Sequence, residues 1–244
     1  MTKNIILIIL LALFSPVISA QENLSPIASK ILKELKIPES AIQLQLYSEK
    51  QMPNSPDNSI YILPKYSEDG KENFDENYFD IDVNIIIANN TTGKIVAKYQ
   101  VLNAYTSDAV RLDNIVIDTG LYNLNEKTRA FGIRVNFIGM SRPNPYDITL
   151  FSLFMIKNNQ LVKVLDDFEL DKSNGEWDTN CAGDFVDSIG LIDLTKEKSK
   201  DLKNIKVKFN ITKTHNFLKN GDCDFAETKS TKTKILKFNG KEYK

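Results

Sequence analysis

Phe79-Asp80-Ile81-Asp82-Val83-Asn84-Ile85-Ile86-Ile87 is the stretch that decides the architecture. Apolar side chains stand at 79, 81, 83, 85 and 87, with Asp80, Asp82 and Asn84 between them. A period of two held this long predicts a β-strand with one face packed and the other wet. Residues 89–93 read as a turn, and 95–102 return as the partner strand of a hairpin.

The same reading extends toward the C-terminus. Strands are expected over 112–117 and over 130–138, where Phe131, Ile133, Val135 and Phe137 share a face. The run 148–156 is apolar on both faces, as in a central strand between packed layers. Asn158-Asn159 turns the chain into 161–165. Ser173-Asn174-Gly175 is the strongest turn signal present. Strands over 185–194, 205–212 and 233–238 follow, the last closed by an Asn239-Gly240 turn.

Toward the N-terminus, Ile42, Leu44 and Leu46 alternate with glutamines and predict a strand, as do 59–63. The stretch 50–58, with two prolines and two asparagines, predicts a loop, and the acidic run 66–77 a second one. Before these, Ile27, Ala28, Ile31, Leu32 and Leu35 recur at helical spacing. Ser25 is the expected cap, Pro26 the first helical residue, and Pro38 the stop. The expected fold class is therefore all-β, an antiparallel sandwich or barrel-like arrangement of about ten strands, with one N-terminal amphipathic helix. No fixed repeat period favours a propeller.

The first 20 residues read differently. Lys3 precedes an unbroken apolar run over 5–14, Pro16 interrupts it, and Ile18 and Ala20 bracket a small-residue exit. These are the three parts of a cleavable secretory signal. The run is shorter than the ~20 residues a membrane span needs. Gln21 stands after the expected cut, so no lipid-bearing cysteine follows. The expected organisation is a signal peptide over 1–20, a helix over 21–40 packed on the β domain, and a single large β domain over 41–244. The expected localisation is periplasmic or secreted, with no membrane span.

At 42% hydrophobic and 26% charged residues, the composition is that of a folded protein. A formal net charge of −1 argues against a nucleic-acid binder. Charge is nonetheless uneven: residues 196–244 carry fourteen lysines against six acids. Those lysines read either as a surface for an anionic partner or as the solvent-facing positions of strands. Cys181 and Cys223 are the two cysteines, and an even count in an exported chain predicts a disulfide.

Chemistry-bearing motifs are sparse. His215 is the one histidine and reads as a surface residue. No cofactor or metal is expected. Acids crowd 166–187, namely Asp166, Asp167, Glu169, Asp171, Glu176, Asp178, Asp184 and Asp187. Paired carboxylates could serve a glycoside hydrolase. Asp167-x-Glu169-x-Asp171 has the alternation of a calcium loop, but Lys172 stands where such a loop needs glycine. The segment 175–181 gathers the one tryptophan, two acids and a cysteine. Trp177, Asp178 and Asn180 are the candidate binding residues, because tryptophan concentrates binding energy. The functional expectation is an exported, non-catalytic binding protein of the bacterial periplasm or cell exterior, with an inhibitor- or immunity-type partner of another protein as one form of it. The expected ligand is a protein or an anionic glycan. A carboxylate-dependent glycan hydrolase and a structural or adhesive envelope component are the rival expectations.

Overall fold

The computed structural model describes residues 23–67 and 78–244. The expected signal peptide over 1–20 and most of the acidic run 66–77 lie outside the described residues. The fold is all-β. Among the described residues one α-helix, α1 (Pro26–Leu35), precedes eleven antiparallel strands. The strands are β1 (Ser48–Met52), β2 (Ser55–Tyr66), β3 (Phe79–Asn89), β4 (Ile95–Ser107), β5 (Val110–Asp118) and β6 (Phe131–Gly139). They continue with β7 (Tyr146–Lys157), β8 (Gln160–Trp177), β9 (Gly183–Ser199), β10 (Leu202–Lys219) and β11 (Asp222–Leu236). Strands β1-β2-β3-β4 form one sheet, and β11-β10-β9-β8-β7-β6-β5 form the other.

The two sheets pack over a shared core. Ile60, Ile62, Ile81, Val83, Ile85 and Ile87 of the four-stranded sheet meet Ile115, Ile117, Phe131, Ile133, Val135 and Phe154 of the seven-stranded one. A second core joins Phe151, Leu153, Ile205 and Val207 to Phe238 and Tyr243 near the C-terminus. There the Tyr243 hydroxyl donates to the Lys203 carbonyl at 2.9 Å. Asn239 caps the expected turn, its Oδ1 accepting from the backbone N–H of Lys241 and Glu242.

Helix α1 begins and ends for the reasons its sequence gives. The Ser25 side chain accepts from the Ala28 N–H at 3.1 Å, and Pro26 opens the first turn. Lys36, at φ 57°, closes the helix before Pro38 can interrupt the ladder. Its buried face, Ala28, Ile31 and Leu32, covers Tyr61, Leu63, Ile86 and Ala88 on the outer side of β2 and β3.

That contact corrects the reading of residues 79–87. Strand β3 has no wet face: the helix covers Ile86 and Ala88, and groups from the flanking chain close over Asp82 and Asn84. Asp82 and Asn84 are each only 5% exposed. Asp82 accepts from Ser67 Oγ and the Asn103 N–H, both at 2.9 Å, and pairs with Lys65 at 3.6 Å. Buried polar groups persist when partnered in this way.

Three local expectations also change. Residues 42–46 are not a strand: Ile42 makes an isolated bridge to Lys65 between two 3₁₀ turns, Glu39–Ala41 and Leu44–Leu46. They send Ile42 into the helix-covered cluster and Leu46 into the inter-sheet core, which a straight strand could not do. The expected loop over 50–58 is instead a tight hairpin of β1 and β2. Its register slips between Gln51 and Met52, and the slip accommodates Pro56, which has no N–H for a ladder. Asn174-Gly175 is not a turn but lies inside β8, paired with Val186 and Phe185. A Cβ on Gly175 would sit 2.4 Å from Phe185 Cδ1, so this glycine serves close approach of a ring. The β7–β8, β9–β10 and β10–β11 turns instead use consecutive positive φ at Asn158-Asn159, Lys200-Asp201 and Asn220-Gly221.

Strands β8, β9, β10 and β11 run to 18, 17, 18 and 15 residues. At ~3.3 Å per residue the longest reach about 60 Å. Their far ends project beyond both cores and form a ribbon.

Candidate functional site

The projecting ribbon carries the residues that composition had gathered around Trp177. Directly paired residues of antiparallel strands share a face. Trp177, Gly183, Asn216 and Phe225 pair in succession across β8–β11. One step inward, Gly175, Phe185, Thr214 and Glu227 do the same. The two glycines leave the room that the Phe185 ring fills: a Cβ on Gly183 would lie 3.0 Å from it. Trp177, Phe185 and Phe225 thus rise from the same face.

Around them lies a cleft of about 590 Å³, lined also by Arg142, Pro145, Asn180, Asn216 and both cysteines. The loop 140–145 is held against the end of β8, with the Trp177 N–H donating to the Pro143 carbonyl at 2.8 Å. From that loop the Arg142 guanidinium stacks on Trp177, 5.2 Å from the ring centroid. The Cys181–Cys223 disulfide forms, with the two Cα atoms 5.7 Å apart. It ties the β8–β9 loop to the start of β11. Phe225 is 62% exposed and Leu218, beside it, 62%.

Of the three candidate binding residues, Trp177 and Asn180 line this cleft and Asp178 does not. The Asp178 carboxylate turns inward to its own loop, accepting from the backbone N–H of Asn180 and Cys181, both at 2.8 Å. Those backbone bonds hold it below the usual carboxylate range. Sequence reading missed Phe185, Phe225, Asn216 and Arg142. Only strand pairing brings them to Trp177, so no local motif could announce them.

The same face continues inward as an open groove of about 610 Å³. Asn114, Asn136, Thr149, Asp171 and Ile189 form one cross-strand row, and Asp147, Ser173, Asp187 and Thr212 the next. Asp113, Asp147, Asp171, Asp187 and Glu227 line the groove against a single lysine, Lys172. Asp171 accepts from the Gly190 N–H at 2.9 Å and lies 3.7 Å from Arg134, while Asp187 accepts from Ser173 Oγ at 2.5 Å.

The acids that cluster in sequence over 166–187 are therefore dispersed. Asp166 pairs with Lys163, and Asp167 accepts from Tyr105 and Ser152 near the inner core. Glu169 pairs with Lys172 at 3.3 Å. Asp184 hydrogen-bonds the exposed His215 at 2.8 Å on the opposite face of the ribbon. Among the described residues no three His, Cys, Asp or Glu side chains converge as metal ligands. Compared with known proteins, the chain matches no family model, no curated protein and no solved structure. Among the described residues no helix is long and apolar enough to cross a membrane.

Proposed function

We propose that the protein is exported and acts in the periplasm or outside the cell as a non-catalytic binding protein, holding another protein on the outer face of its ribbon. In this reading residues 1–20 are removed as a signal, and 21–40 and 41–244 work as a helix and the single β domain it covers. The observation that carries it is the cleft built by Trp177, Phe185 and Phe225 on a surface that otherwise faces water. Aromatic rings beside an arginine, framed by polar side chains, have the composition of an interaction hot spot. The five carboxylates of the adjoining groove favour a neutral or basic partner face and would repel an anionic glycan there. An inhibitor- or immunity-type role fits a rigid sheet surface, which binds without reorganising.

The test is retention of envelope proteins by the immobilised protein, compared with a Trp177→Ala/Phe225→Ala variant of unchanged Tm. A specific band retained by the native protein and lost from the variant is expected. Equal retention by both, or cleavage of glycans by the purified protein, would overturn the reading.

A further inference from the structure

At the opposite end of β9 from the aromatic cleft lies a second cavity, and its charge has the other sign. Three segments build it: the β1–β2 turn with Asn54, the 123–129 loop, and the β9–β10 hairpin. Lys127, Arg129, Lys198 and Lys203 line about 580 Å³ together with one carboxylate, Glu126. Lys198 and Lys203 are directly opposed across the β9–β10 ladder. Like charges placed so destabilise a sheet unless something between them offsets the repulsion. Among the described residues none of Lys127, Lys198 and Lys203 forms an ion pair.

The cavity is held in shape by backbone contacts rather than by its charges. The Lys203 N–H donates to the Leu124 carbonyl at 2.8 Å. Asn125 Oδ1 accepts from the N–H of Lys127 at 2.9 Å and of Thr128 at 2.8 Å. The Arg129 guanidinium donates to the Thr119 carbonyl at 3.2 Å and the Gly120 carbonyl at 3.4 Å, which restrains it. Preformed walls and concentrated positive charge are what an anion site requires. The volume suits a small molecule rather than a lone ion.

We propose that this cavity is a binding site for a phosphate- or sulfate-bearing sugar. The lysines and Arg129 would take the anionic groups, and the amides of Asn54 and Asn123 and the Thr128 hydroxyl would take sugar hydroxyls. An anionic saccharide thus belongs to this end of the molecule and not to the acidic groove. The site does not depend on the aromatic cleft.

Isothermal titration of the purified protein with a sulfated disaccharide, a hexose bisphosphate, inorganic phosphate and an unsulfated disaccharide tests this. At least one of the two anionic sugars binds, the unsulfated sugar does not, and affinity falls with added salt. Lys198→Gln and Lys203→Gln each weaken binding roughly tenfold, as loss of a charged hydrogen bond does. Neither lowers the unliganded Tm, because each relieves repulsion. The Trp177→Ala/Phe225→Ala variant binds these sugars like the native protein, so the two readings fail separately. The proposal is overturned if neither anionic sugar binds, if the unsulfated sugar or inorganic phosphate binds as well as they do, or if the lysine variants bind unchanged. A fall in the unliganded Tm of either lysine variant would assign the pair to the fold and overturn it equally.

Discussion

Asp118 joins the inter-sheet edge to the polar face of the larger sheet. Burial would raise its pKa. Hydrogen bonds from the Gly120 N–H at 2.9 Å, the Tyr122 hydroxyl at 2.8 Å and the Arg134 guanidinium at 2.9 Å outweigh this and hold it below the usual carboxylate range. Burial, and after it the neighbouring Asp118 carboxylate, push the Tyr122 hydroxyl up against the opposing pull of Arg134. A carboxyl depressed in the folded state stabilises it above the unfolded pKa of about 3.9, and that contribution is lost as pH falls through the folded value. Asp118→Asn is therefore expected to cost about 2 kcal/mol at neutral pH. The deficit should shrink in acid, below about pH 4. Urea unfolding of both proteins at neutral and acid pH reads the difference, and a gap that widens in acid would reverse the assignment.

At the scale of elements, the disulfide belongs to the ribbon and not to the cores. It closes 42 residues spanning β9, β10 and the start of β11. On chain-entropy grounds its loss raises the freedom of the unfolded chain by about 4 kcal/mol. Reduction, or Cys181→Ser with Cys223→Ser, is expected to lower the urea midpoint. Amide exchange should accelerate over 213–228 while 205–209, on the second core, stay protected. Uniform acceleration along β10 would show the ribbon and core to be one cooperative unit.

These strands also show where the sequence speaks and where it falls silent. Residues 205–209 and 131–137 alternate because one side is buried, and both are legible as strands. Residues 213–231 carry Lys, Thr, Asn and Ser on both faces, since both are exposed, and leave no period to read. They are strands because β10 pairs with β9 on one side and with β11 on the other. Two Asn-Gly steps illustrate the limit further. Asn220-Gly221 adopts positive φ and turns, whereas Asn174-Gly175 stays extended beneath Phe185. Tertiary contact decides between them, not the dipeptide. Trp177 and Asn180 stood out in the sequence by rarity and context, but the rest of their cleft is distributed over four strands and a loop.

The whole molecule has a thick end and a thin one. At the thick end α1, the four-stranded sheet and the larger sheet stack in three layers, with Ile31 and Leu32 fully buried against the middle layer. Ile31→Ala is expected to cost about 3 kcal/mol, through lost burial and the cavity left behind. The cost should fall on global stability, so the denaturant midpoint drops while ligand affinity at the ribbon is unchanged. A variant that keeps its midpoint but loses affinity would mean that the helix is coupled to the distal cleft.

The long strands also give the protein a mechanical character. A partner bound at the aromatic cleft, as proposed, would pull at the tip of a lever anchored in the thick end. Ladder hydrogen bonds lie across the strands, so a tug along β10 and β11 loads their fifteen paired positions together, in shear. A sideways tug would instead open them one after another, beginning at the corner where the Asn220-Gly221 turn joins β10 to β11. The Cys181–Cys223 bond stands at that corner, so peeling has no place to begin.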